Sequence, residues 1–250
     1  MAMDTAAPVA SPFFGYIEGG YVFQSPVQQW QLFGPDYVNT GLTGPGAGWR
    51  GKASIGYHPG GTWEIVAALE GGSESDGPIS TGSFLNGQLH DDHWIVDGLA
   101  AYELSPDWKL GAGVRWANWN NHIDTSNTAR INHSFYGIGP RIELDGSMPF
   151  GDSVTLESDL GASVLFGNIY TTSSDAWDCT SCNTENVTAF DLDASLGVGF
   201  HLGATTKAVV GIQGQYWSGI NVAVTDDDGA GLNQRTSAAF LAGPFVRLQF

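Results

Sequence analysis

The sequence predicts an all-β fold, a transmembrane antiparallel up-and-down β-barrel of about ten strands. The first observation is the alternation of the final stretch, Arg235 to Phe250, where Phe250, Leu248 and Val246 share one face and Gln249, Arg247 and Gly243 the other. The second is that no run approaches the roughly 18 consecutive apolar residues of a transmembrane helix, and mean hydropathy is −0.08. The third is that long and short connections alternate along the chain. Together they favour a barrel, in which lipid-facing residues alternate with lumen residues.

Composition favours one β-domain and excludes one class of partner. The 250 residues include 35 glycines and 12% aromatic residues, which is typical of an all-β chain. We expect a flexible tail over residues 1–12 and one barrel over 13–250. Met1 to Asp4 are expected to precede a mature sequence whose export signal has been removed. The net charge of −17 excludes nucleic acid, which needs clustered Lys and Arg.

Ten alternating segments follow one another along the chain. The predicted strands are 13–24, 48–57, 63–71, 92–104, 108–119, 133–147, 153–169, 187–202, 206–218 and 235–250. Long polar connections follow the odd-numbered strands, including 72–90 and 120–132, and short Gly/Pro-rich turns follow the even-numbered ones. This is the pattern of long external loops and short periplasmic turns, with both termini inside. An eight-strand barrel is the alternative if two segments merge.

Aromatic residues cluster at the strand ends and predict two interfacial girdles. The predicted short-turn girdle contains Trp63, Tyr102, Trp108, Phe150, Phe200 and Phe250, and the predicted long-loop girdle contains Trp94, Trp116, Trp119, Phe166, Tyr170, Tyr216 and Trp217. The rival interpretation is a soluble lipocalin-like barrel or sandwich. Soluble barrels place their charged residues on the outer face. Here the aromatic girdles and the charged residues lie on opposite faces of the strands, and the aromatic face is too apolar to be the interior of a barrel that must also hold so many charges. The membrane interpretation is therefore favoured.

The charged residues take the inward phase of the predicted strands. A charge facing lipid at mid-depth costs about 2–4 kcal/mol, so the lumen is their expected location. The candidate lumen and constriction residues are Arg50, Lys52, Glu64, Asp97, Arg115, Arg141, Glu143, Asp159, Asp191, Asp193 and Arg247. We expect the four arginines to face Glu64, Glu143, Asp159 and Asp191. Excess acid would make such a lumen prefer cations weakly.

The remaining motifs favour structural roles. Cys179 and Cys182 lie in a polar segment without a redox or second zinc half-site, which predicts a small loop disulfide. Asp226-Asp227-Asp228-Gly229 lacks the spaced ligands of a calcium loop and is interpreted as a solvated acidic turn. No metal site and no cofactor are predicted.

Two strands carry a family resemblance. Asn132 to Gly146, read Asn-His-Ser-Phe-Tyr-Gly-Ile-Gly-Pro-Arg-Ile-Glu-Leu-Asp-Gly, and Leu160 to Gly167, read Leu-Gly-Ala-Ser-Val-Leu-Phe-Gly, resemble the Legionella-type major outer-membrane protein family of pore-forming barrels. The aromatic carboxy-terminal strand resembles outer-membrane barrels in general. The resemblance implies a bacterial outer-membrane location and a porin or surface-antigen role, and it implies no catalytic residues.

Four functions are therefore weighed. The first is a narrow porin for passive diffusion of ions or small solutes, and its alternative is a closed structural or adhesive barrel whose external loops bind a partner. Less favoured is an omptin-like protease, because His90-Asp91-Asp92-His93 and His133 provide no facing Asp–His couple. A deacylase is disfavoured because His133 and Ser134 point to opposite faces. The expected partners are the outer-membrane bilayer with lipopolysaccharide, small ions or solutes, and a homo-oligomer; the protein is predicted not to be an enzyme.

Overall fold

The computed structural model describes most of the chain. It covers residues 11–25, 29–32, 38–41, 46–81, 85–125, 130–151, 153–174, 184–220, 224–225, 231–234 and 238–250. Cys179 and Cys182, the acidic turn 226–229 and most of the predicted tail lie outside the described residues.

Ten long strands close into one antiparallel barrel. These are β1 (Phe13–Ser25), β4 (Gly46–Gly60), β5 (Trp63–Thr81), β6 (Leu85–Ser105), β7 (Trp108–Thr125), β8 (Arg130–Pro149), β9 (Val154–Ser174), β10 (Thr184–His201), β11 (Lys207–Ser218) and β14 (Ala238–Gln249). Their order around the barrel is β1-β14-β11-β10-β9-β8-β7-β6-β5-β4. The predicted count of ten is confirmed, and the eight-strand alternative is wrong.

The barrel closes where the first and last strands pair. Glu18 lies opposite Arg247 in the β1–β14 register. Phe250 exchanges two backbone hydrogen bonds of 3.0 Å with Gly15. Each of the ten strands therefore has two neighbours, which satisfies the backbone groups internally, as a lipid environment requires.

The outer surface of the barrel is an apolar belt bounded by aromatic rings. Along β6, Trp94, Val96, Tyr102 and Leu104 are exposed. Trp94 to Leu104 covers the roughly 9–11 residues that a tilted strand needs to cross a bilayer. Two girdle assignments are wrong: Trp119 and Trp217 are 3% and 0% exposed and point into the lumen, because they share the inward phase of their strands.

Strand pairing continues well beyond the apolar belt at the end of the barrel where the long connections lie, here called the long-loop end. Residues 72–90 and 120–132 were expected to form loops, but most of these residues belong to the extended hairpins β5–β6 and β7–β8. The loops were predicted where apolar alternation stops, which is where the strands leave the belt. Backbone pairing does not need apolar alternation, so the strands continue beyond that point. The opposite end, with the turns near 61, 106, 151 and 204, is called the short-turn end.

Short strands in the first and last long connections form a second, small sheet. Strands β2 (Gln29–Leu32), β3 (Val38–Gly41), β12 (Val224–Thr225) and β13 (Gly231–Gln234) pair in the order β12-β13-β2-β3. Thus the connections that flank the barrel seam pair with each other. The part of the chain that the structure describes holds no helix long and apolar enough to cross a membrane.

Substitution of Gly243 tests the seam. A Cβ built at Gly243 would lie 1.8 Å from the Tyr21 carbonyl oxygen, whereas one at Gly19, in the same seam, meets nothing within 4 Å. We expect Gly243→Ala to destabilise the barrel by about 1–3 kcal/mol, the usual cost of overpacking, and Gly19→Ala to leave stability unchanged. Unfolding of the refolded protein, followed by heat-modifiable gel mobility, measures both, and equal midpoints would contradict the close approach of β1 and β14.

Candidate functional site: the lumen

The eleven candidate lumen residues all lie on the inward faces of the barrel strands. They lie on β4, on β5 to β10 and on β14, and most of them are almost completely shielded from solvent. A buried charge is costly unless it is paired and hydrogen-bonded. The partners of each side chain therefore determine what the lumen can do.

Arg115 is the centre of the lumen. Its Nε and Nη2 donate to the two carboxylate oxygens of Asp97, directly opposite on β6, at 2.8 and 2.7 Å. Its Nη1 reaches across the lumen to β10, where it pairs with Asp191 and, at 3.2 Å, with Asp193. Gln215 donates to the other Asp191 oxygen at 3.0 Å. One guanidinium thus ties β7 to β6 and to the far side of the barrel.

Arg141 extends this cluster towards β8. Its Nη1 and Nη2 donate to Asp193 at 2.6 and 2.9 Å, a bidentate pair. The same side chain binds Glu143 at 2.5 Å. We call Asp97, Arg115, Arg141, Glu143, Asp191 and Asp193 the arginine network. It brings together six of the eleven candidates.

A second cluster lies against the barrel seam. Arg247 donates to Glu18 at 2.7 Å and to Asp159 at 2.8 Å, with its guanidinium 4.5 Å from the centre of the Tyr16 ring. Lys52 makes no ion pair with a described residue, and its Nζ lies 5.8 Å from the same ring centre. Between this cluster and Asp193 is a cavity of about 20 Å³, which holds about one water molecule.

The expected pairing of arginines with acids is only partly realised. Arg141 pairs with Glu143, Arg247 with Asp159 and Arg115 with Asp191, whereas Arg50 binds Glu70 at 2.5 Å. Glu64 pairs with none of the arginines whose side chains the structure describes. It binds Lys109 at 2.5 Å near the short-turn end, away from the other candidates. The reason is that Glu64 is the second residue of β5, directly after the short turn that precedes this strand.

Apolar side chains fill the lumen on the long-loop side of the arginine network. This apolar plug consists of Val22, Ile95, Ala117, Trp119, Phe135, Leu165, Ile169, Ala189, Trp217, Ile220, Ala239 and Leu241. Trp119 and Trp217 pack with ring centroids 5.5 Å apart. All twelve side chains are at most 3% exposed, so they are shielded from water like residues in a protein core.

His93 is enclosed between the plug residue Trp119 and the carboxylates of Glu70 and Glu74. Its ring stacks on Trp119 at 4.8 Å, and its Nε2 and Nδ1 lie 3.5 Å from oxygens of Glu70 and Glu74. The imidazole occupies the space over Gly72, where a Cβ would come within 2.4 Å of it. An imidazolium facing both carboxylates would offset their buried charge, which a neutral ring would not.

The plug and His93 were missed by sequence reasoning, although a signal existed. Ile95, Trp119, Phe135, Trp217 and Leu241 each lie an even number of residues from an inward charge on the same strand. Their phase therefore placed them inside. The lumen residues predicted from the sequence are all charged and include no apolar layer.

The sites outside the lumen clusters that were considered from the sequence are an aspartate on β6, a metal site and a disulfide. Asp91 is 1% exposed and accepts a 2.8 Å hydrogen bond from Gln24. No group of three or more His, Cys, Asp or Glu side chains within the described ranges is arranged to hold a metal ion. The predicted disulfide between Cys179 and Cys182 stays a prediction, since both lie outside those ranges.

Comparisons with known proteins bear on the fold. No family model matches the chain, and no curated protein does. The outer-membrane protease OmpT of Escherichia coli is similar over 100% of this chain and 99% of its own, with 11% identity and a TM-score of 0.60. The translocator domain of the autotransporter NalP of Neisseria meningitidis is similar over 97% of this chain and 89% of its own, with 13% identity and a TM-score of 0.53. The fold is thus that of bacterial outer-membrane barrels.

Removal of the central guanidinium tests the arginine network. Arg115→Leu leaves the buried carboxylates of Asp97 and Asp191 without their main cation, so we expect a loss of about 3–5 kcal/mol of unfolding free energy. Lys109→Leu is the control, because Lys109 is 36% exposed and such a pair contributes at most about 1 kcal/mol. Denaturant unfolding in lipid vesicles measures both; equal losses would show that Arg115 has no special role.

Proposed function

We propose that this protein is a bacterial outer-membrane barrel that is closed to solutes and that acts through its long-loop end, as a structural or adhesive surface protein. The observation that carries the proposal is the apolar plug. The plug lies on the long-loop side of the arginine network, and its side chains are at most 3% exposed. A solute would have to displace packed aromatic rings and then separate buried ion pairs.

The outer surface supports the membrane location. Leu, Ile, Val and aromatic side chains are exposed on all ten barrel strands, for example Ile65 at 59% and Leu192 at 51%. Contiguous exposed apolar surface of this extent is unfavourable in water and suits lipid. The bilayer, including lipopolysaccharide in its outer leaflet, is the partner that this belt fits.

The long-loop end supports a binding role outside the membrane. The β5–β6 hairpin continues about ten residues beyond Trp94, which at 3.3 Å per residue is roughly 30 Å. A backbone ladder pairs its β6 strand with β7, which in turn pairs with β8. Rigid, polar, extended hairpins of this kind provide surface for a partner.

A narrow cation pathway is the second candidate. It is favoured by the continuous series of charged side chains from Glu74 to Glu157 and by the small polar cavity beside Lys52. The resemblance to pore-forming barrels in β8 and β9 points the same way. Under this candidate the arginine network is the constriction, and movement of the plug opens the lumen.

An omptin-like protease is less favoured by the geometry. Asp91 is buried and bound to Gln24, and His93 lies between two glutamates beneath the surface. Neither can meet a substrate and a water molecule at the surface, as general-base hydrolysis requires. We therefore propose a non-catalytic role.

Conductance measurements decide between the first two candidates. We expect refolded wild-type protein in a planar bilayer to show no stable channel steps, because plug and network close the lumen. The double variant Trp119→Ala/Trp217→Ala removes two rings from the plug and is expected to produce an ion leak. Heat-modifiable gel mobility confirms that each protein is folded.

Stable, cation-preferring steps from folded wild-type protein would overturn the closed-barrel proposal and support the pathway. Arg141→Ala and Asp193→Ala should then alter ion selectivity in opposite directions, since one removes a cation and the other an anion. Unchanged selectivity in both would show that the arginine network is not the constriction.

A further inference from the structure

Two histidines lie side by side on the outer wall of the barrel, above the apolar belt. His90 on β6 and His122 on β7 are directly opposite in the antiparallel register. Both lie on the lipid-side face of their strands, in phase with Trp94 and Trp116, and both are partly exposed. They are therefore reachable from outside, beyond the long-loop girdle.

The two imidazole rings are already close together. Their centroids are 4.9 Å apart and their planes differ by 24°. A zinc ion holds each imidazole nitrogen at about 2.0–2.1 Å, so two coordinating nitrogens lie roughly 3–4 Å apart. A centroid separation of 4.9 Å is compatible with this spacing, because the ring nitrogens lie away from the ring centres.

The backbone beneath the pair is held in place. The β6–β7 ladder runs without interruption from Gly87 opposite Thr125 to Glu103 opposite Lys109. Cross-strand neighbours on one face have Cβ atoms about 4.5–5.5 Å apart. The pair is thus preorganised, which lowers the entropic cost of binding an ion.

The electrostatic surroundings favour a cation. Asp92 is the next residue on the same face of β6 and lies opposite the neutral Asn120. The net charge of −17 attracts cations to the protein as a whole. Imidazole ligands select zinc, copper and nickel over magnesium and calcium.

We propose that His90 and His122 form a surface site for a divalent transition-metal ion, with water or an external ligand at the remaining positions. The site has two protein ligands, in agreement with the absence of any group of three or more such ligands among the described residues. It is independent of the lumen, and an ion held there could join the barrel wall to a ligand outside.

Titration of the refolded, untagged protein with zinc chloride, followed by calorimetry, tests the site. We expect one zinc ion per chain in the wild type and at least about tenfold weaker binding in His90→Ala and in His122→Ala, since each removes a ligand. His201→Ala is the matched control, because His201 is an exposed histidine at the short-turn end. Cys179→Ser/Cys182→Ser is the second control and excludes thiol binding.

Electron paramagnetic resonance with Cu²⁺ counts the coordinating nitrogens. We expect two imidazole nitrogens in the wild type, one in each single variant and two in both controls. His90→Gln serves as a second variant if the alanine protein fails to refold, as judged by heat-modifiable mobility. Absence of zinc binding to folded wild type, or unchanged binding in the His90 and His122 variants, would overturn the proposal.

Discussion

Neutralisation of the charges buried inside the lumen is the constraint on which the rest of this structure depends. Arg115 is 0% exposed, and so is its partner Asp191 on the far side of the barrel. Such groups are tolerated only when each charge is paired and its donors are used. The register of β6, β7 and β10 places Asp97, Arg115 and Asp191 within reach, so the charge pairing and the strand alignment support each other.

The outward faces of the same strands contact a different environment, the lipid of the membrane. The outward positions in the belt are mainly apolar or aromatic, and none of those that the structure describes is charged, because a lipid-facing charge costs several kcal/mol. A slip of one residue in any strand would exchange the two faces and bury Leu and Ile among the arginines. The two environments, opposite in polarity, therefore specify the register more strongly than either would alone.

On the long-loop side of the arginine network, the lumen contains the apolar plug together with the buried charged side chains of Glu70, Glu74 and His93. The arginine network ties opposite walls together, and the apolar plug packs above it, where His93 stacks on Trp119 beside Glu70 and Glu74. Under the closed-barrel proposal, this lumen acts as a core and not as a channel. It stabilises the barrel as a rigid support for the hairpins that extend from its long-loop end, which is where the closed-barrel proposal places the function. The His90–His122 pair lies on that support, outside the lumen.

Much of this architecture was determined by the sequence itself. Period-two alternation from Phe13 to Phe250 and the alternation of loop lengths determined the number of strands and the face of each residue, because lipid imposes a strict pattern. The inward location of Arg115, Arg141 and Arg247 followed from the cost of a charge in hydrocarbon.

Only the tertiary structure decided which inward residues meet. Partners such as Arg115 and Asp191 lie three strands apart across the lumen, and their contact depends on barrel closure and on the depth of each residue along the axis, which alternation does not encode. The plug, the length of the hairpins and the His90–His122 pair were decided in the same way, by register.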